Sequence, residues 1–395
     1  MAISPQHNFV IFLGAGFSVD AGLPTMSSFG LESRTDYNTL LKHASLNEKY
    51  AAQMLVDAAN AFYTFQEFCK KSPVISSDDL NNFETVFCIV ESMIEARKET
   101  ITLKEIDYHL DKLSEQLQLW LWKIYQQSPT TNPDRRTHKQ TYTDFFNWLH
   151  ISNLWDRTIV VSTNYDLMFE YLTWEIRQQT CTYYPLEESV DNLKPIVIGD
   201  GINYFSDCKQ NTKESYIPIC KLHGSVNYFE NKSTNGDQNL YISTDIGGKT
   251  EIGKSGTFDK LPAIFAVDAI WKIREDYGQT FTPAIIPPTY AKITRKPWLR
   301  TIWETAFDAL SAANTILFIG YSMPETDGFL RALIHGAFAF RKDVRHPNVF
   351  VIDPESKVHK KYSDLFRDSY HDIGQHTLRK ALEIGILNDV LKTMA

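Results

Sequence analysis

The sequence has no Cys-x-x-Cys pair. Its five cysteines, Cys69, Cys88, Cys181, Cys208 and Cys220, are scattered and odd in number. That spacing gives no support to a zinc ribbon or a disulfide framework, so no metal is expected and a reducing, cytoplasmic compartment fits best. No apolar run reaches the roughly 18 residues of a membrane span, so no membrane association is expected. The first eight residues, Met1 to Asn8, lack the basic and then apolar stretches of a secretory signal. An excess of positive charge is missing too. The formal net charge is -8, which leaves no electrostatic footprint for nucleic acid, and no direct nucleic-acid binding is expected. The short basic run Arg341, Lys342 and Arg345 reads as a solvated helix end.

What is present is a well-stocked core. The 24 Phe, 19 Tyr and 8 Trp in 395 residues argue against disorder. Phe9 to Leu13 is a continuous apolar run that stops at a glycine. Thr158 to Val161, Thr315 to Ile319 and Val349 to Ile352 repeat the pattern. Such runs belong to strands buried on both faces, as in parallel sheets, and helix-like segments follow the first three. The expected fold is α/β, a Rossmann-like parallel sheet with a large helical insertion.

The insertion is assigned to residues 35–155, rich in Leu, Ala, Glu, Lys and Gln at helical spacing. Residues 1–34 and 156–395 then form the Rossmann-like core. Leu103, Ile106, Leu110, Leu113 and Leu117 are read as one helical stripe, and Pro133 as part of a polar break from Ser128 to Lys139. Asn231 to Lys260 reads as long loops or hairpins. Thr377 to Met394 reads as a single helix with Leu378, Leu382, Ile386 and Val390 on one face.

Four segments carry candidate chemistry. In the first, Gly14, Ala15, Gly16 and Ser18 follow the first strand, with Gly22 and Pro24 shortly after. Glycines at a strand-to-helix turn let backbone N–H groups approach a pyrophosphate, and Ser18 adds a donor. The late third glycine departs from Gly-x-Gly-x-x-Gly, and no Gly-Lys-Ser/Thr follows. A plain tight turn fits the same residues. In the second, Thr163, Asn164 and Asp166 end a strand, where open α/β sheets bind ligands; an N-cap explains them equally. In the third, His223 follows an apolar stretch, either as a general base or as a structural histidine. In the fourth, Gly320, Tyr321 and Ser322 open a run to Asp327, suited to a ribose or phosphate or to a simple turn before a helix.

The order of these segments resembles the sirtuin family, and more closely the sirtuin-like domains of prokaryotic anti-phage proteins. Gly14 to Ser18 with Gly22-Leu23-Pro24 looks like the family's phosphate loop, and Ser162 to Asp166 like its Thr-Gln-Asn-Ile-Asp segment. Leu222 to Ser225 is similar to the segment with its active-site histidine, and Gly320-Tyr321-Ser322 to its Gly-Thr-Ser turn. Ala284 to Thr289 looks like a Pro-rich loop of the anti-phage relatives.

The resemblance implies NAD as substrate. Asn164, Asp166 and His223 are then catalytic. Gly14, Ala15, Gly16, Ser18, Gly22, Pro24, Thr163, Gly320, Tyr321, Ser322 and Asp353 are then NAD-binding. Asn164 would hold the ribose or the attacking water, His223 would be the base that polarises a ribose hydroxyl or the water, and Asp166 would orient the carboxamide or offset positive charge. Glu84 is a weaker candidate, since ordinary exposed acids share its helix. Thr25-Met26-Ser27 replaces the Asp-Phe-Arg of deacylating sirtuins, and their four-cysteine module has no counterpart. The implied activity is therefore NAD glycohydrolysis in anti-phage defence. The alternatives are an NAD-dependent deacylase or ADP-ribosyltransferase, and a non-catalytic NAD or ADP-ribose scaffold. The resemblance further implies a homo-oligomer and a HerA-like hexameric ATPase partner.

Overall fold

The computed structural model describes residues 8–21, 48–72, 82–103, 106–126, 135–170, 217–232, 281–286, 296–341 and 346–394, with short pieces between them. Gly22 and Pro24, residues 26–47 and Pro287 to Thr289 lie outside the described residues, as do residues 247–280.

The strands in chain order are β1 (Phe9–Leu13), β2 (Thr100–Leu103), β3 (Ile106–His109), β4 (Thr158–Ser162), β5 (Thr182–Tyr183), β6 (Lys194–Ile196) and β7 (Ile202–Asn203). They continue with β8 (Ile217–Lys221), β9 (Gly224–Lys232), β10 (Gln238–Ser243), β11 (Asp245–Ile246), β12 (Phe281–Ile285), β13 (Thr315–Ile319) and β14 (Asn348–Ile352). The helices used below are α1 (Gly16–Val19), α2 (Glu48–Cys69), α3 (Phe83–Glu95), α4 (Leu110–Gln126), α5 (Arg135–Ile151), α6 (Pro297–Ala312), α7 (Gly328–Ala339), α8 (Ser356–Phe366), α9 (Leu378–Glu383) and α10 (Leu387–Lys392).

The main sheet has the order β14-β13-β1-β4-β8-β5, and all of its pairings are parallel. Every residue of β1, β4, β8 and β13 is buried. This is why β1, β4 and β13 read as largely unbroken apolar runs rather than as alternating ones. The connection leaving β1 returns at β4 on one side, whereas β13 arrives on the other. The crevice between β1 and β13 is therefore the topological switch point, where open α/β sheets bind ligands. The sequence expectation of a Rossmann-like parallel sheet holds.

A second sheet, β12-β9-β10-β6, stands beside it. Its β9 and β10 form an antiparallel hairpin, as the 231–260 composition implied in part. Among the described residues between β1 and β4 the regular elements are helices, apart from the hairpin β2–β3. This corrects the stripe Leu103, Ile106, Leu110, Leu113, Leu117. The first two lie on β2 and β3, and only the last three lie on α4. The backbone register pairs Ile101 with Tyr108 and Leu103 with Ile106, so strand pairing and not helical spacing governs this stretch.

The helices after β1 are tied into the same core. The Tyr142 hydroxyl on α5 donates to the Phe17 carbonyl at 2.6 Å, and Trp122 Nε1 on α4 donates to the Val226 carbonyl at 2.8 Å. At the C-terminus the expected single helix is two. Gly385, at φ 70°, ends the first, so α9 and α10 are separate pieces whose buried faces carry Leu378, Ala381, Leu387 and Val390. Among the described residues no helix is long and apolar enough to cross a membrane.

Candidate active site

Two glycine turns meet at the switch point. Gly14 N donates to the Ile319 carbonyl at 3.0 Å and Gly16 N to the Gly320 carbonyl at 2.9 Å, so the turn after β1 rests on the turn after β13. A Cβ at Gly16 would fall 2.6 Å from the Gly320 Cα, and one at Gly320 would fall 2.4 Å from the Gly16 Cα. The glycines are thus required by backbone-on-backbone contact. This corrects one part of the sequence reading. The amides of Gly14, Gly16, Phe17 and Ser18 are already bonded inside the protein, and α1 has only four residues, too short for a useful dipole.

Beside these turns lies a cleft of about 410 Å³, within the range of small-molecule sites. Ala15, Gly16, Thr163, His223, Gly320, Tyr321, Ser322 and Asp353 line it, as do Asp20, Asn82, Glu84, Asp327 and Glu355. A recess of about 40 Å³ adjoins it, lined by Ser18, Tyr125, Asn164, Tyr165 and Asp166. Ala15, Glu84 and Thr163 belong to both walls. The structure therefore brings together the described site residues that the sequence proposed, in two compartments, except Gly14, which lines neither and lies behind them against Gly320, Tyr321 and Asn164. Ser18 lines the recess and not the cleft, is 1% exposed, and its Oγ accepts from Asn164 Nδ2 at 3.3 Å.

Each side chain is held from behind. Asn164 Nδ2 donates to the Gly14 carbonyl at 2.9 Å and lies 3.3 Å from Ser18 Oγ, while its own amide N–H donates to Ser162 Oγ at 3.1 Å. Asp166 Oδ1 accepts from Met168 N at 2.9 Å, so the capping role and a place in the recess coexist. Lys221, 1% exposed, donates to the Asp166 carbonyl and pairs with the fully buried Glu170 at 3.3 Å. Burial pushes the Glu170 carboxyl above its ordinary range, and Lys221 opposes that rise.

His223 sits on a turn clamped from two strands. The Leu222 amide donates to the Ser162 carbonyl at 2.9 Å, and the Ile286 amide donates to the His223 carbonyl at 2.8 Å. Gly224 adopts φ +77°, and a Cβ there would lie 1.9 Å from the Ala284 carbonyl oxygen. Only glycine fits that position. The matched Ala284 to Ile286 segment thus supports the histidine turn. The His223 ring is 1% exposed, with Nε2 3.3 Å from Asp327 Oδ2.

Residues 158–373 match the SIR2-like domain family. The chain belongs to that family. No curated protein matches it. SIR2-like domains use NAD as substrate, so the cleft is to be judged as an NAD site. It fits in size and in its place at the switch point. Its charge is less usual. Asp20, Glu84, Asp327, Asp353 and Glu355 all line it, and no Lys or Arg does among the described residues. The same residues hold no cluster of three or more metal-ligating side chains.

Two residues gain weight beyond the sequence reading. Glu84 lies in the wall shared by cleft and recess, in the first turn of α3, whose start is fixed by Asn82 Oδ1 accepting from Glu84 N at 2.9 Å. Asp327, at the end of the fourth motif, brings its carboxylate against His223 and the Tyr321 hydroxyl. Tyr321 also changes character. Its ring packs on Phe12 at 4.8 Å and its hydroxyl donates to Asp327 Oδ2 at 3.0 Å, so its side chain serves the core and the aspartate more than the cleft.

Proposed function

We propose that this protein cleaves the nicotinamide–ribose bond of NAD, yielding nicotinamide and ADP-ribose. The observation that carries this reading is a dinucleotide-sized cleft joined to a small polar recess, with a buried histidine in the cleft wall. The extended part of NAD suits the cleft, and the carboxamide group suits the mouth of the recess. Asp166 orients the carboxamide, and Asn164 positions the ribose or the water. Thr163, Ser322 and the Ala15–Gly16 edge border the diphosphate, and Asp353 accepts from a ribose hydroxyl. The C–N bond breaks with its electron pair going to the nicotinamide nitrogen. The water oxygen bonds to the ribose carbon, and His223 takes the water proton. Glu84 lies where a carboxylate offsets the positive charge that builds on the sugar.

Unrestrained NAD loss would kill the producing cell, so we extend the proposal to a cytoplasmic anti-phage effector that needs a trigger. Control by self-assembly or by a HerA-like hexameric ATPase is part of the same reading. Light scattering after size-exclusion chromatography tests it, and a monomer under all conditions would remove it.

The deciding test of the reaction is chromatography of NAD incubated with the protein, alone and with the ATPase, beside His223→Ala. Nicotinamide and ADP-ribose that disappear in the variant support hydrolysis. Intact NAD in every sample, with binding retained, moves the reading to a scaffold or a peptide-dependent enzyme.

A further inference from the structure

Asp327 stands at the N-cap of the twelve-residue helix α7, yet its side chain makes no capping hydrogen bond. That is unusual for an aspartate before a helix, since capping satisfies an otherwise orphaned amide. Asn82 and Asp166, in comparable turns, both cap. The Asp327 carboxylate is directed elsewhere. Its Oδ2 accepts from the Tyr321 hydroxyl at 3.0 Å and lies 3.3 Å from His223 Nε2. Asp327 and His223 are 2% and 1% exposed. Burying a carboxylate is costly unless it is partnered, so the missing cap marks a group placed for another purpose.

We propose that Asp327 is the positioning residue of this site, fixing the tautomer and ring orientation of His223 through Nε2, while the Tyr321 hydroxyl holds the carboxylate in place. The proposal rests on the assignment of His223 as the base. A neutral imidazole carries one N–H. An acceptor at Nε2 keeps the proton there and leaves Nδ1 as the lone-pair nitrogen. The α7 N-terminus stabilises the negative charge without being capped by it. Tyr362 donates to the Tyr321 carbonyl at 2.9 Å, which fixes the tyrosine from the far side. Tyr165 also flanks the imidazole, with ring centroids 6.1 Å apart. The linkage spans 104 positions in sequence between His223 and Asp327, and it joins the turn after β8 to the turn after β13.

The test compares Asp327→Asn, His223→Ala and their combination for nicotinamide release and NAD affinity. The expected result for Asp327→Asn is a fall in kcat of roughly 10²-fold, with KM changed by less than about threefold. The double variant is expected to be no slower than His223→Ala alone, because Asp327 acts through the imidazole. An equal further loss in the His223→Ala background overturns the proposal. Long-range ¹⁵N spectra of the histidine side chains, assigned with His223→Gln, give a readout independent of turnover. The expected state is protonation of His223 at Nε2 in the unchanged protein and a mixed tautomer in Asp327→Asn. An identical His223 signal in both overturns the proposal. If the unchanged protein releases no nicotinamide, the hydrolysis reading falls, and the spectra still decide the positioning claim. Tyr321→Phe, which frees the carboxylate without removing it, provides the same spectral comparison if Asp327→Asn does not fold.

Discussion

Asn164 Nδ2 donates to the carbonyl of Gly14 at 2.9 Å, so the turn after β4 grips the turn after β1 across 150 positions of sequence. A residue expected to face substrate is thereby also a strut of the loop beside it. The two duties need not be separable.

Asn164→Ala is expected to lower kcat/KM by roughly 10²-fold through misplacement, and stability by about 1–3 kcal/mol. Asn164→Asp keeps the shape and removes the donor, so it should behave like Ala. Kinetics with thermal melts check this. An active, stable Asp variant would show that the bond to Gly14 is dispensable. Ser18→Ala, by contrast, should leave the affinity for NAD within about threefold, because Ser18 lines the recess and not the cleft and its Oγ accepts from Asn164.

Lys221→Met removes the cation from the buried Glu170 and the donor from the Asp166 carbonyl. The expected cost is about 3–5 kcal/mol. Adding Glu170→Gln should restore much of that stability but not the turnover, since the Asp166 turn stays unheld. Denaturant melts and nicotinamide release separate the two effects. Full recovery of activity in the double variant would refute the positioning role of Lys221.

Gly224→Ala forces a Cβ against the Ala284 carbonyl in a backbone conformation that costs about 1–2 kcal/mol by itself. The turn carrying His223 must move, and turnover should fall roughly 10²-fold or more. Retained activity in a folded variant would mean that the histidine tolerates displacement.

Asp353 gives the pH dependence. Burial raises its carboxyl above the ordinary range, with the Glu355 amide opposing. The folded-state value therefore exceeds the unfolded one. The contribution to stability is favourable in acid and is lost as pH rises through the folded-state value. Asp353→Asn should raise Tm at neutral pH, and the gain should shrink as the pH falls into the ordinary carboxylate range. Melts across that range check the sign. Because Asp353 and Glu355 stand together on the cleft wall, NADP, with its extra phosphate, should be a poorer substrate than NAD by roughly tenfold or more. Equal rates would argue against placing the ribose there.

The four buried runs were legible because a strand covered on both faces favours apolar residues throughout, and Phe9 to Leu13 shows this in every position. The turns at Gly14 and Gly320 were legible for the same local reason, although what they touch was not. Their glycines answer to each other. Asp327 was missed because its meaning lies in a histidine more than a hundred positions away, and a capping aspartate looks the same in sequence whether or not it caps. The hairpin of β2 and β3 was misread because Leu103, Ile106 and Leu110 happen to repeat at three and four. The break at Gly385 was a local signal within reach, a glycine inside a short amphipathic run.

The stretch recognisable as SIR2-like begins at residue 158, yet β1 lies between β4 and β13 in the sheet. A protein trimmed to that stretch would keep both neighbours and lose the strand between them. The slot left behind would be about 10 Å wide, twice the spacing of adjacent strands, too far for β4 and β13 to hydrogen-bond each other. The boundary of likeness and the boundary of a foldable unit are therefore different places on this chain, and an expression fragment drawn to the first would cut through the second.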